Sequence, residues 1–201
     1  MDLADRKRRL RRELRQRLRA VAPGQAAEAS RRAAAHLAAS PELAGARRVI
    51  LYAALADELP SRPLFDVVLD VVLDAGRPAL LPRPGPGATL EVAPVARWED
   101  LRPGRYGVLE PAAASPGSAL APGDLILVPG LAFDREGHRL GRGRGWWDRT
   151  LAAARGVELT AVGVGFAFQV VEAVPHGPGD QAVDAILTED GWHRTRAGRE
   201  P

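Results

Sequence analysis

The sequence predicts a single three-layer α/β/α domain on a mostly parallel sheet. Two observations carry this. Continuous apolar runs at 49–53, 124–128, 159–164 and 182–187 have the character of strands buried on both faces. They alternate with amphipathic helical segments, the order that places parallel strands between crossover helices. The 201 residues suit one such domain over 1–201. A chain of that size buries about 70% of its unfolded surface and needs no disulfide or structural metal.

The elements follow in order. Leu3, Lys7, Leu10, Leu14, Leu18 and Val21 recur at helical spacing and form one face of a basic amphipathic helix over 1–21. Asp2 and Asp5 favour its start. Lys7 therefore lies on the inward stripe, with Arg11 one turn along, while the other arginines face water. Pro23-Gly24 breaks this helix, and an Ala-rich helix continues to about residue 39. The run 49–53 is a buried strand, 55–59 a loop, and Ser61 caps a helix with Phe65, Val68, Leu69 and Val72 inward, ending at Gly76. Short strands are expected at 78–81 and 90–95, with loops at 83–88 and 111–123. The strand 124–128 stops at Pro129-Gly130. A glycine-spaced loop runs over 137–145, a helix over about 146–154, and the last strands are 159–164 and 182–187. The polar tail 194–201 is expected to fray.

Composition excludes several classes. With no Cys there is no thiol nucleophile, Cys-ligated zinc or iron–sulfur cluster. No apolar run approaches the about 20 residues of a membrane span, and residues 1–20 lack the apolar stretch of a signal peptide. A cytoplasmic monomer with no membrane partner is expected. Residues 1–20 hold nine basic and three acidic side chains against a whole-chain net charge of +3. A basic segment on an acidic body suggests an anionic partner.

In a parallel sheet, ligands bind beyond the carboxyl ends of the strands, here at 53–58, 129–147 and 188–189. The second stretch contains Arg139-Leu140-Gly141-Arg142-Gly143-Arg144-Gly145-Trp146-Trp147-Asp148. Glycines admit close backbone approach, a helix N-terminus attracts anions, and guanidinium groups grip phosphate in pairs. The loop is either a polyphosphate cradle or a flexible basic surface loop. It is neither a Walker loop nor a dinucleotide fingerprint. Asp148 either complements the helix dipole or holds Mg²⁺ beside phosphates. Asp184, in an apolar stretch, needs an Arg partner or a metal. Trp146 and Trp147 either pack the helix or stack on a flat heterocycle. Glu58 either bonds an amide-like ring edge or is a solvated loop acid. His36, His138, His176 and His193 show no ligand spacing, and no nucleophile elbow is present.

The segment 127–148, from Leu127-Val-Pro-Gly through Gly-Trp-Trp-Asp148, resembles the signature of the 5-formyltetrahydrofolate cyclo-ligase (5,10-methenyltetrahydrofolate synthetase) family. The resemblance extends to Lys7-Arg-Arg-Leu-Arg11, 52–58, 105–111 and 164–184, and covers about residues 5–189. It implies one α/β/α domain that uses ATP and Mg²⁺ to close 5-formyltetrahydrofolate to the methenyl form through a phosphorylated formyl oxygen. It implies that Lys7 and Arg11 meet ATP phosphates and that Arg139, Leu140, Gly141, Arg142, Gly143, Arg144, Gly145, Trp146 and Trp147 wrap the nucleotide, with Arg139 and Arg144 as the catalytic cations. It implies Asp148 and Asp184 as Mg²⁺ ligands, and Ala53, Glu58, Tyr106 and Trp146 as folate contacts. Two departures stand out: Trp146 and Trp147 replace the usual tyrosines, and Arg144 replaces a frequent lysine. Two other classes compete. A nucleic-acid-binding protein would use the Arg-rich first helix, against which Lys7 faces inward. A coenzyme A acyltransferase would leave Asp184 and Glu58 unexplained. The expected partner is a small-molecule folate, with no nucleic acid.

Overall fold

A computed structural model describes residues 2–74, 76–104 and 107–197. Seven strands form one sheet in the order β11-β10-β9-β6-β1-β2-β3. The five central strands are β1 (Arg48–Ile50), β2 (Ala79–Pro84), β6 (Asp124–Pro129), β9 (Thr160–Val164) and β10 (Ala185–Thr188), and all are parallel. Antiparallel strands β3 (Leu90–Pro94) and β11 (Gly191–Arg194) close the two edges. The predicted three-layer α/β domain is the one observed.

Alternation along the strands produces the layers. Val49, Leu125, Leu127, Val162 and Leu187 join one core with the helices α2 (Pro23–Ala38), α3 (Pro41–Gly45) and α4 (Arg62–Asp74). Ile50, Ile126, Val128, Ala161 and Ile186 join the other core with Leu151 of α5 (Trp146–Ala153) and Phe133. Phe133 lies in a small hairpin of β7 (Ala132–Phe133) and β8 (Arg139–Leu140). Strands β4 (Arg102–Pro103) and β5 (Leu109–Glu110) form a second small hairpin.

The first helix, α1 (Leu3–Arg19), starts where Asp2 accepts from the Asp5 N–H at 2.7 Å. Its stripe buries Leu14 and Leu18. Pro23 does not break the chain as expected; it opens α2, where its missing N–H costs nothing, and the break falls at 20–22. Ser61 precedes α4, yet its hydroxyl accepts from the Ala54 N–H at 2.9 Å across the preceding loop.

Four further features differ from the sequence reading. Strand β1 ends at Ile50 rather than at 53, because the chain after Leu51 leaves the sheet to build the loop of 53–58. Helix α3 was not foreseen: Ser40 caps Leu43 N–H at 3.2 Å, but five residues are too few to show periodicity. Strand β10 begins after Asp184 rather than containing it. The tail does not fray from 194. Arg194 ends β11, and Thr195 is buried with its hydroxyl donating to Val183 O at 2.7 Å; residues 198–201 lie outside the described residues.

Candidate active site

From β1 the chain moves outward to β2 and β3, then returns to the other side of β1 as β6. The connections leave in opposite directions at β1 and β6, and such a switch opens a crevice at the carboxyl ends. A cleft of about 290 Å³ lies there. Tyr52, Ala53 and Glu58 border it after β1, Pro129 and Gly130 at the end of β6, and Arg139, Gly141, Arg142, Arg144, Gly145, Trp146, Trp147 and Asp148 from the glycine loop and α5. Two of the three stretches expected to carry ligands therefore meet. The third does not, since β10 is away from the switch and Glu189 accepts from the Ala167 N–H at 2.8 Å.

The glycine loop is shaped by backbone as well as charge. Gly143 and Gly145 have φ of 102° and 66°, a region where side chains are strained. Gly145 stands at the N-cap of α5, and Trp146, Trp147 and Asp148 of the first turn line the cleft. Arg139 is 4% exposed. Its Nη2 donates to Asp148 Oδ1 at 2.7 Å, while its buried Nε has no hydrogen-bond partner among the described residues. Burial pulls this guanidinium below its ordinary pKa, against the pull of Asp148. Trp147 packs on both cores, whereas Trp146 belongs to neither, and the Arg149 guanidinium lies 5.3 Å from its ring centre. Both tryptophans line the cleft, and Trp147 packs on the cores as well.

Across the cleft, Glu58 is not a solvated loop acid. Its side chain is 9% exposed, and Oε2 accepts from the Leu55 N–H at 2.9 Å. Arg142 does not stand free for phosphate. Its Nε donates to Glu58 Oε1 at 2.7 Å, and both Nη atoms donate to Asp57. Burial raises the Asp57 carboxyl, but the Arg142 guanidinium outweighs it and holds the group below its ordinary value.

Helix α1 contacts the glycine loop from outside the cleft lining. Arg11 Nε donates to the Gly141 carbonyl at 2.9 Å, and Arg11 is the nearest side chain to Gly143. Lys7 faces inward as expected, where Nζ lies 2.5 Å from Asp180 Oδ2. Arg6, Arg8, Arg9 and Arg12 are exposed.

A sequence model of the 5-formyltetrahydrofolate cyclo-ligase family matches residues 4–189. The chain belongs to this family. It is 30% identical to 5-formyltetrahydrofolate cyclo-ligase of Escherichia coli K12, over 87% of this chain and 96% of that one. It is 28% identical to the Mus musculus enzyme, over 92% and 94%. The solved structure of Aquifex aeolicus 5,10-methenyltetrahydrofolate synthetase superposes with a TM-score of 0.79 at 31% identity, covering 97% of this chain and 95% of that one. The Mycoplasma pneumoniae synthetase, at 18% identity and a TM-score of 0.70, shares the fold.

The cyclo-ligase resemblance named two acids for Mg²⁺, and the structure treats them differently. The Arg partner considered for Asp184 belongs to Asp148, which also accepts from the Gln181 N–H at 3.3 Å. Asp184 shares the α5 side of the sheet with Ile186, and its Oδ2 accepts from the Ala161 N–H at 2.7 Å. No cation pairs with it among the described residues. Burial therefore raises its carboxyl, partly offset by the Ala161 N–H. Among the described residues the two acids have no common partner, and Asp184 does not border the cleft. Lys7, Arg11, Leu140 and Gly143 also stand outside the lining, although Arg11 touches the loop that forms it. Leu140 is buried in a third small core with Leu14 of α1, which locks the loop to the helix. Tyr106, the remaining cyclo-ligase position, lies outside the described residues.

Asp57 and Asp180 escaped the sequence reading. Asp57 adjoins Glu58 in an acidic pair at a strand's end, a signal that was present. Asp180 had none, for its partner Lys7 is 173 positions away.

Proposed function

We propose that this chain is the enzyme its family describes: it uses ATP to cyclise 5-formyltetrahydrofolate to 5,10-methenyltetrahydrofolate, with release of ADP and phosphate. The observation that carries the reading is one cleft in which an Arg/Gly loop faces a largely buried carboxylate side chain, Glu58. Phosphate and an amide-like ring edge are the two ligand chemistries these walls match.

A formamide oxygen is a poor leaving group. In the proposed reaction it attacks the γ-phosphorus of ATP, and the P–O bond to ADP breaks. The neighbouring nitrogen then adds to the activated formyl carbon and loses its proton. The C–O bond breaks, inorganic phosphate departs, and the methenyl ring is closed. No side-chain nucleophile is required. The protein positions the reactants and balances charge. Arg139 and Arg144 supply positive charge on the transferring phosphoryl group. Arg11 braces the loop through Gly141, and Lys7 approaches the phosphates from α1. Trp146 offers a flat face to a heterocycle, beside Ala53 and Glu58 on the folate wall.

The donor set fits Mg²⁺. This ion keeps several waters and binds through one or two carboxylates plus substrate phosphates, so it needs no cluster of three acids. Asp148, in the first turn of α5 at the cleft, would hold it beside the phosphates; Asp184, outside the cleft lining and without a cation partner among the described residues, is the second acid the family resemblance names. When bound, Mg²⁺ neutralises charge on the phosphate oxygens.

The test is direct: incubate the protein with ATP, Mg²⁺ and 5-formyltetrahydrofolate and follow near-UV absorbance. Growth of the methenyl chromophore, dependent on both ATP and Mg²⁺, is expected. Its absence with folded protein would overturn the reading. Cytoplasmic placement and a monomeric state accompany the proposal. Among the described residues, no helix is long and apolar enough to cross a membrane.

A further inference from the structure

We propose that Arg142 couples the two halves of the cleft, and that Asp57 is the positioning residue that sets the coupling. This rests on the reading above, in which nucleotide and folate share the cleft. Arg142 stands on the glycine loop between Gly141 and Gly143, yet its guanidinium reaches across to the loop after β1. There it is held by Glu58 through Nε at 2.7 Å and by Asp57 through both Nη atoms. Glu58 has its other oxygen on the Leu55 N–H. Glu58 thus has one oxygen on the backbone of its own loop and the other on Arg142.

A ring edge with two N–H donors, as an aminopyrimidine presents, competes with Arg142 for Glu58 Oε1. Released from one of its two carboxylates, the guanidinium turns toward the phosphate side of its own loop, and Asp57 alone holds it back. Filling the ring site thus frees a cation for the nucleotide. By linkage, a nucleotide that engages Arg142 opens Glu58 to the ring to the same degree. Asp57 touches neither ligand in this scheme; it acts by fixing where Arg142 rests.

The experiment measures the dissociation constant of a non-hydrolysable ATP analogue with Mg²⁺, with and without saturating 5-formyltetrahydrofolate. Wild type, Asp57→Asn and Arg142→Lys are compared. In wild type the folate should tighten the analogue by about fivefold or more, within the usual range of coupling between sites, and the analogue should tighten the folate equally. In Asp57→Asn the analogue alone should bind more tightly than to wild type, with the coupling falling below about twofold. Arg142→Lys keeps the charge but loses the fork, and its coupling should fall likewise. If Asp57→Asn does not fold, the Arg142→Lys factor decides alone. A merely structural Asp57 would weaken both ligands and leave the coupling factor intact; that result, or a wild-type factor of one, overturns the proposal. A folded wild type that binds neither ligand overturns the functional reading itself, and the coupling with it.

Discussion

Glu58 concentrates the chemistry of one wall in a single carboxylate. Glu58→Gln keeps the size and the Leu55 contact but removes the charge. A hydrogen bond to a charged group contributes about 1.5–3 kcal/mol, so 5-formyltetrahydrofolate should bind at least about tenfold more weakly. The nucleotide measured alone should bind no more weakly than to wild type. Equal losses for both ligands, read by calorimetry, would make Glu58 structural. Asp184 gives a second test at this scale. Its folded-state pKa is raised, first by burial, so the ionised form destabilises the fold once the pH exceeds the unfolded value, and fully above the folded one. Asp184→Asn can still accept from Ala161. Without metal it should melt at or above the wild-type temperature near about pH 8 and no differently near about pH 3, the two sides of an ordinary carboxyl pKa. If Asp184 holds Mg²⁺, added Mg²⁺ should raise the wild-type Tm and leave that of Asp184→Asn unmoved. Equal responses would remove Asp184 from the metal site. Residue types at the site were legible because glycine, arginine and isolated acids are unusual where they stand. Their pairings were not: Arg142 meets Asp57 and Glu58 across 85 and 84 positions, and no local pattern encodes that.

Helix α1 is the element whose reading separates enzyme from nucleic-acid binder. Its apolar stripe turns Lys7 inward, and the structure puts Lys7 on Asp180 while Arg9 and Arg12 face solvent. Lys7→Ala should raise the KM for ATP strongly, whereas Arg9→Ala and Arg12→Ala should change it less than twofold, the order expected of exposed charges. Oligonucleotide binding that weakens by similar amounts in every arginine variant, with ATP kinetics indifferent to Lys7, would reverse this reading. The same contact carries a pH signature. Burial raises the Asp180 carboxyl, but Lys7 and the Gly177 N–H outweigh it and leave the group below its ordinary value. Its contribution is therefore present above the unfolded pKa, about 3.9, and is lost as the pH falls through the folded one. Asp180→Asn should flatten the acid limb of a Tm–pH curve below about pH 4. An unchanged limb would show that the ion pair does not anchor α1. Long periodic elements such as α1, α2 and α4 were legible. The five-residue α3 and the polar edge strand β11 were not, because one is shorter than two helical turns and the other shows only one apolar side chain, Trp192, whose ring nitrogen donates to His36 O at 3.1 Å.

At the scale of the whole molecule, strand order accounts for the site. Apolar runs alternating with helices predicted the parallel sheet, and the carboxyl-end rule then pointed to 53–58 and 129–147. Only the order of strands shows that these two stretches flank one crevice and that 188–189 does not. Order depends on long-range pairing, β1 with both β2 and β6, and a linear pattern does not record it. The cleft so formed brings an Arg/Gly loop against a carboxylate wall, and in the proposed reaction a phosphoryl group moves there onto the formyl oxygen of the folate. Oxygen-18 tracing tests this most directly. With 5-formyltetrahydrofolate labelled in the formyl oxygen, one turnover with ATP and Mg²⁺ should place the label in the released inorganic phosphate. Methenyl product formed with unlabelled phosphate, the heavy oxygen appearing in water instead, would contradict it.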